Sequence, residues 1–300
     1  MNREDYPPQE PLSEMSLGYQ ATAMRQSEGI ESEEHAYAHD HVCQGTMVFR
    51  AKKPNGVTLM YMHGGGWTNG YKELLGFMAP PLNDAGFNFV SVGYRLAPQF
   101  TFPVGWLDAA KATRWVYDNC RSFGGDPTRI FVGGHSAGAH YAALLAVRRD
   151  WQSKLELPTN VVRGCLPISG IYDFTEGSGL SMRPRFLGSV EQKNEFTASP
   201  LLYLETKPPP MMLSHGSNDF PHLIKQAKEM EKRLKAIGAC VERIELPGKD
   251  HLSASHCAAE SDGPWVPHAV RFMSAVASSP AKSALHDANV RNEGVRLSQG

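Results

Sequence analysis

Six short apolar runs interleaved with helical patterns occupy this chain from residue 57 to residue 244, and no other feature restricts its fold so strongly. The runs are 57–62, 87–92, 129–132, 161–168, 210–214 and 240–244. Their lengths suit buried strands rather than helices. Helix-period patterns lie between some of them, at 107–123, 137–148 and 223–237, the last ended by Gly238. Strands alternating with helices build βαβ units, so the chain predicts a mostly parallel sheet with helices on both faces. In such sheets ligands bind at the carboxyl ends of the strands.

Composition removes other classes. Thirty Lys and Arg against 31 Asp and Glu leave a net charge of −1, so no global basic field attracts nucleic acid. With 41% apolar and 20% charged residues the chain is globular. The five cysteines, Cys43, Cys120, Cys165, Cys240 and Cys257, are odd in number and scattered. That argues against a disulfide framework or thiolate zinc site and fits a reducing compartment. The first residues lack the apolar core of a signal peptide, and no run reaches the ~18 apolar residues of a membrane span. The expected location is therefore cytoplasmic. Polar residues dominate 1–16 and 280–300, which read as tails or loosely docked arms.

The chemistry starts at Gly134-His135-Ser136-Ala137-Gly138. A strand runs into this string and a helix begins near Ala137, the context of a nucleophile elbow. The competing reading is an ordinary tight turn, since GxSxG alone is a weak signal. A rarer string, His63-Gly64-Gly65-Gly66-Trp67, follows the strand that ends at Met62. It lacks the Gly-Lys-Ser/Thr ending of a phosphate loop. It suits an oxyanion hole, where backbone N–H groups must reach a carbonyl without side chains between. Gly65, Gly66 and Ala137 are the expected donors, and His63 the residue that ties the loop down.

A serine hydroxyl needs a histidine to take its proton and a carboxylate to orient that histidine. After the fifth run comes Asp219 and after the sixth His251, which is the order acid, then base, downstream of the serine. Asp173 and Asp250 are alternative acids, and His256 and His215 alternative bases. Trp67, Tyr71, Phe174 and Phe220 are candidate pocket walls, though such residues are more often simply core or surface aromatics. A cluster of histidines at residues 35–41, after Glu33 and Glu34, has metal-like spacing. It has no distant partner ligand in sequence, so a solvated arm is the preferred reading.

Together these motifs resemble the α/β-hydrolase superfamily, near the hormone-sensitive-lipase-like carboxylesterases and the arylformamidases. The resemblance is carried by the glycine string, by Tyr94-Arg95-Leu96-Ala97-Pro98, and by Gly125-Asp126-Pro127-Thr128-Arg129-Ile130 leading into the elbow. Asp219 and His251 match the remaining triad positions, and the similarity covers about residues 45–275. It implies an α/β-hydrolase fold with a small lid: an arm at 1–45, a catalytic domain at 46–279 carrying a lid insertion at 174–209, and a polar tail at 280–300. Within that insertion Arg183-Pro184-Arg185-Phe186 is placed to shape the pocket. His135 and the short N-terminal segment point to the arylformamidase branch, whereas Gly66, where that branch has an aromatic residue, points back to esterases.

The expected activity is a serine hydrolase without metal or cofactor, cleaving a small carboxylic ester or activated amide through an acyl-enzyme. The alternative is a non-catalytic binding module on the same fold. The expected partner is a small-molecule ester or amide, with no nucleic acid and no membrane span; a homodimer stays open.

Overall fold

The computed structural model describes residues 3–175, 177, 178 and 184–280. Among these residues eight strands form one sheet: β1 (Glu33–Ala36), β2 (Gly45–Phe49), β3 (Gly56–Met62), β4 (Asn88–Val92), β5 (Gly125–His135), β6 (Val162–Ile168), β7 (Met211–Gly216) and β8 (Val241–Leu246), in the order β1-β2-β4-β3-β5-β6-β7-β8. The helices are α1 (Glu14–Ser27), α2 (Ala79–Asp84), α3 (Val104–Asn119), α4 (Ala137–Val147), α5 (Asn194–Thr197), α6 (Pro221–Ala236), α7 (Ser253–His256) and α8 (Val266–Ser278). The six apolar runs are β3 to β8, and these are parallel. β2 runs antiparallel to both β1 and β4. The fold is that of the α/β-hydrolases.

Alternation along the central strands divides the core in two. Met60, Met62, Val90 and Val132 face one side with α3 (Val104–Asn119) and α4 (Ala137–Val147). Leu59, Tyr61, Phe89 and Phe131 face the other, against α8 (Val266–Ser278). All eleven residues of α4 are buried, which is why its sequence is apolar all round and shows no stripe. Each large apolar side chain buried there contributes about 1.5–3 kcal/mol. The pattern at 107–123 is α3 followed by a 3-10 turn at Cys120–Phe123 that Gly124 ends at φ 79°. The pattern at 223–237 is α6 (Pro221–Ala236), stopped at Gly238 with φ 67°.

The N-terminal segment departs from a loose arm. α1 (Glu14–Ser27) is capped by the Ser13 side chain, which accepts from the Ser16 N–H at 3.3 Å. Ser27 Oγ accepts from the Phe77 N–H, and Tyr19 shares a hydrogen bond with Ser255. β1 lies inside residues 1–45, so the sheet begins before the boundary drawn from sequence. Its residues Glu33, Glu34, His35 and Ala36 face mostly solvent and carry no apolar period to reveal a strand. The tail beyond Pro280 lies outside the described residues, as does Arg183.

Candidate active site

The site stands at the carboxyl ends of β3, β5, β7 and β8. β5 runs into Ser136, whose backbone sits at φ 52° and ψ −115°, and α4 starts at the next residue. A non-glycine residue there is strained by about 1–3 kcal/mol, a cost that surrounding structure must hold in place. The elbow glycines explain how it is held. A Cβ on Gly134 would stand 2.2 Å from the Gly138 carbonyl carbon, and one on Gly138 2.2 Å from the Met62 oxygen. Only glycine lets β5, α4 and β3 approach so closely. The Ser136 N–H donates to the Ile168 carbonyl at 2.9 Å.

His251 Nε2 lies 2.9 Å from Ser136 Oγ, and its Nδ1 lies 2.9 Å from Asp219 Oδ1. With Nδ1–H donating to the carboxylate, Nε2 presents its lone pair to the serine hydroxyl. The same Asp219 oxygen accepts the Phe220 N–H at 2.7 Å, and Oδ2 accepts from Ser169 Oγ at 2.5 Å. Burial pushes the Asp219 carboxyl up, but the bonds from His251, Ser169 and Phe220 outweigh it and bring it down to about 2.

The loops carrying the acid and the histidine are stitched together. Ser217 N–H donates to Leu246 O, Asn218 N–H to Lys249 O, and Gly248 N–H to Ser217 Oγ. Gly216 packs so close that a Cβ would stand 2.1 Å from the Lys249 oxygen.

The other acids and bases named from sequence lie in different surroundings. Asp173 Oδ1 accepts from the Thr175 N–H and hydroxyl, anchoring its loop. Asp250 accepts from the Leu252 and Ser253 N–H groups. His215 is buried against Arg243, and His256 packs on Tyr19 and Phe77.

The glycine loop is bound from beneath. His63 Nδ1–H donates to the Gly64 carbonyl at 2.8 Å, its ring stacks on Tyr94 at 4.3 Å, and the Tyr94 hydroxyl donates to His63 O. Burial lowers the His63 pKa to about 4, so the ring stays neutral. Gly65, Gly66 and Trp67 follow at φ 119°, 63° and 65°, and the Gly65 carbonyl accepts from Thr68 and Asn69. Among the described residues no chain acceptor engages the N–H groups of Gly65, Gly66 or Ala137.

The two middle glycines differ in kind. A Cβ on Gly65 would stand 2.1 Å from the Asn69 oxygen, whereas one on Gly66 meets nothing closer than 4.0 Å. Gly65→Ala is therefore expected to displace the loop, cutting turnover at least about a hundredfold if an oxyanion donor is lost. Gly66→Ala should cost only the roughly 1–2 kcal/mol of the left-handed backbone. Thermal midpoints and ester turnover of the two variants check the contrast; equal effects would contradict it.

The four aromatic candidates do not converge. Phe220 is 51% exposed with its ring 4.9 Å from that of His251. Trp67 and Phe174 are buried with Phe186 and His140. Tyr71 packs edge-on against Tyr6. A cavity of about 290 Å³ opens between residues 7–10 and 96–100 and touches the glycine loop at Thr68. The insertion reaches this wall through Arg185, which pairs with Glu10.

At residues 35–41, His35 sits 3.6 Å from Glu33 and over Trp115. Among the described residues no three His, Cys, Asp or Glu side chains group as metal ligands, and no helix is long and apolar enough to cross a membrane.

Near the serine, Ser169 and His140 were not singled out from sequence, and His135 was read there only as a mark of the arylformamidase branch. Ser169, at φ 54° after β6, grips Asp219. His135 Nε2 lies 2.8 Å from the His251 carbonyl and steadies that loop. His140 joins Trp67 to the segment that carries Ala198. Each acts through a partner remote in sequence; only the positions of Ser169 after a strand and of His135 inside the elbow gave any signal.

The BD-FAE family profile matches residues 48–234. The esterase LipQ of Mycobacterium tuberculosis is 30% identical over 207 residues, 64% of this chain and 49% of that one. The kynurenine formamidase of Salmo salar is 29% identical over 199 residues, 65% of each chain. The chain thus spans about half the length of LipQ, as it does of LipC (52%) and LipM (48%). Among solved structures, the carboxylesterase EstE1 from a metagenomic library superposes with a TM-score of 0.69 at 22% identity, covering 90% of this chain and 99% of that one. A fold shared with esterases and a profile match across more than half its length together place this chain in the BD-FAE family of α/β-hydrolases.

Proposed function

We propose that this protein is a serine hydrolase that cleaves a small carboxylic ester, or an activated amide such as an N-formyl aryl amide, through an acyl-enzyme. The observation that carries the reading is the unbroken line of hydrogen bonds from Ser136 through His251 to Asp219, at 2.9 Å each, beside a glycine loop whose Gly65 and Gly66 N–H groups meet no acceptor among the described residues.

Ser136 Oγ attacks the carbonyl carbon while His251 Nε2 takes its proton. Asp219 holds the ring in the required tautomer and stabilises the imidazolium. The carbonyl oxygen, now negative, receives N–H bonds from Gly65, Gly66 and Ala137, with the N-terminus of α4 behind it. His251 returns the proton to the leaving alcohol or amine. Water, deprotonated by the same nitrogen, then releases the acid and restores Ser136. Phe220, exposed beside His251, is the aromatic placed to touch the substrate.

Support for the substrate class comes from the relatives, which are named as esterases and as a kynurenine formamidase. A non-catalytic module gains no support, because the triad and the glycine loop are intact. A panel of p-nitrophenyl esters from acetate to longer acyl chains, with an N-formyl aryl amide alongside, tests the reading. Turnover of at least one short ester or the formamide is expected; none on any member, from folded protein, would overturn it.

A further inference from the structure

Trp67 stands out in the glycine loop because it shares the left-handed backbone of its two glycine neighbours, at φ 65°, without being glycine. Such a conformation costs about 1–2 kcal/mol for a residue with a Cβ, so other contacts must hold it. Three do. The Trp67 carbonyl accepts from the Ala97 N–H at 2.9 Å. Its indole stacks on Phe186 at 4.1 Å with an interplanar angle of 12°. Its Nε1–H donates to His140 Nδ1 at 3.2 Å.

His140 lies one helical turn beyond Ser136 on α4 and has no exposed surface. Because Nδ1 accepts from the indole, the ring proton sits on Nε2, which donates to the Ala198 carbonyl at 2.6 Å. Phe174, Phe186 and Phe102 surround the ring. Burial drives its pKa down to about 3, so this neutral tautomer persists at ordinary pH. Phe186 and Ala198 both belong to the insertion at 174–209, itself tied to the body by the Phe102 N–H donating to Phe186 O.

We propose that His140 is a positioning residue that clamps Trp67, and with it the N–H groups of Gly65 and Gly66, in the geometry needed for an oxyanion. The proposal rests on the serine-hydrolase reading above.

Two near-isosteres separate the two bonds of His140. In His140→Asn the amide oxygen takes the place of Nδ1 and keeps the Trp67 bond. In His140→Gln the amide nitrogen takes the place of Nε2 and keeps only the Ala198 bond. The measurements are kcat and KM on a short p-nitrophenyl ester, and the Ki of a trifluoromethyl ketone. Ser136 adds to that ketone carbon, passing its proton to His251 and leaving an oxyanion in the loop.

For His140→Gln and for Trp67→Phe, kcat is expected to fall at least about tenfold with KM within about twofold, and Ki to rise in step with the loss of kcat/KM. His140→Asn should stay within about threefold of the parent. The double variant Trp67→Phe/His140→Gln should be no worse than its poorer single, as expected for one shared interaction. Equal losses in His140→Asn and His140→Gln would reduce His140 to core packing and overturn the proposal. So would full kcat in His140→Gln, or an effect confined to KM.

The Trp67 indole N–H, assigned by the disappearance of its resonance in Trp67→Phe, reads the clamp without activity: its protection from exchange with solvent should fall in His140→Gln and persist in His140→Asn, and the reverse would overturn the proposal. If His140→Gln does not fold, Trp67→Phe against His140→Asn makes the same comparison. A parent protein as inert as Ser136→Ala would instead count against the hydrolase reading, and the exchange of that indole N–H would still decide the clamp.

Discussion

Ser136→Ala is expected to lower kcat on a short p-nitrophenyl ester by roughly 10⁴- to 10⁶-fold while leaving the fold intact. On the proposed mechanism the loss is large because the removed oxygen is the atom that would bond to substrate, and neither His251 nor the glycine loop can supply another nucleophile. The fold survives because little else depends on the hydroxyl. The backbone at φ 52° is as strained for alanine as for serine, so that strain neither grows nor relaxes. The Ser136 N–H still donates to Ile168 O, and α4 still starts with the His140 N–H bonded to the carbonyl at position 136. The checks are turnover and the thermal midpoint measured on one preparation. Activity near that of the parent would remove Ser136 from the chemistry.

Acid is expected to destabilise the protein steeply, and the cause lies in three buried histidines. Burial holds His63 at about 4 and His135 and His140 each at about 3, against an unfolded value near 6.5. Their folded pKa values are depressed, so the unfolded chain binds the extra protons. Stability from these groups is complete above pH ~6.5 and drains away as pH falls toward 3 to 4. Near pH 5 the unfolded state holds almost three more protons, a slope of up to about 4 kcal/mol per pH unit. Asp219, held at about 2, adds to the loss only below pH ~4. Urea midpoints between pH 7.5 and 5 test this: they should be nearly level above pH ~6.5 and fall progressively below it. A flat profile over that window would mean that the rings take up protons in the folded state.

These two effects draw on different layers of information in the chain. The strands β3 to β8 could be read because burial on both faces makes each an apolar run, and their spacing fixes a parallel sheet. β1 and β2 join by antiparallel pairing at the sheet edge, where β1 keeps Glu33, Glu34 and His35 largely in solvent, so no hydrophobic pattern announces it. α1 was missed for a similar reason: only Gln20 and Ala23 of its fourteen residues are buried.

At the site, Ser136, Asp219 and His251 could be picked out because the chain must meet them in that order at successive strand ends, and the structure brings them within hydrogen-bond distance. What surrounds them was not legible. Ser169, His135 and His140 matter through bonds spanning 50, 116 and 58 residues. The aromatic candidates show the same limit. Nothing local distinguishes Phe220, open beside His251, from Trp67, buried under the insertion.

The most direct measurement of the account is covalent labelling by a fluorophosphonate, read by intact mass and peptide mapping. Ser136 Oγ attacks phosphorus and fluoride leaves, with His251 accepting the proton. One adduct per chain is predicted, on Ser136, absent in Ser136→Ala and strongly slowed in His251→Ala. No adduct on folded protein, or an adduct on another residue, would contradict the account.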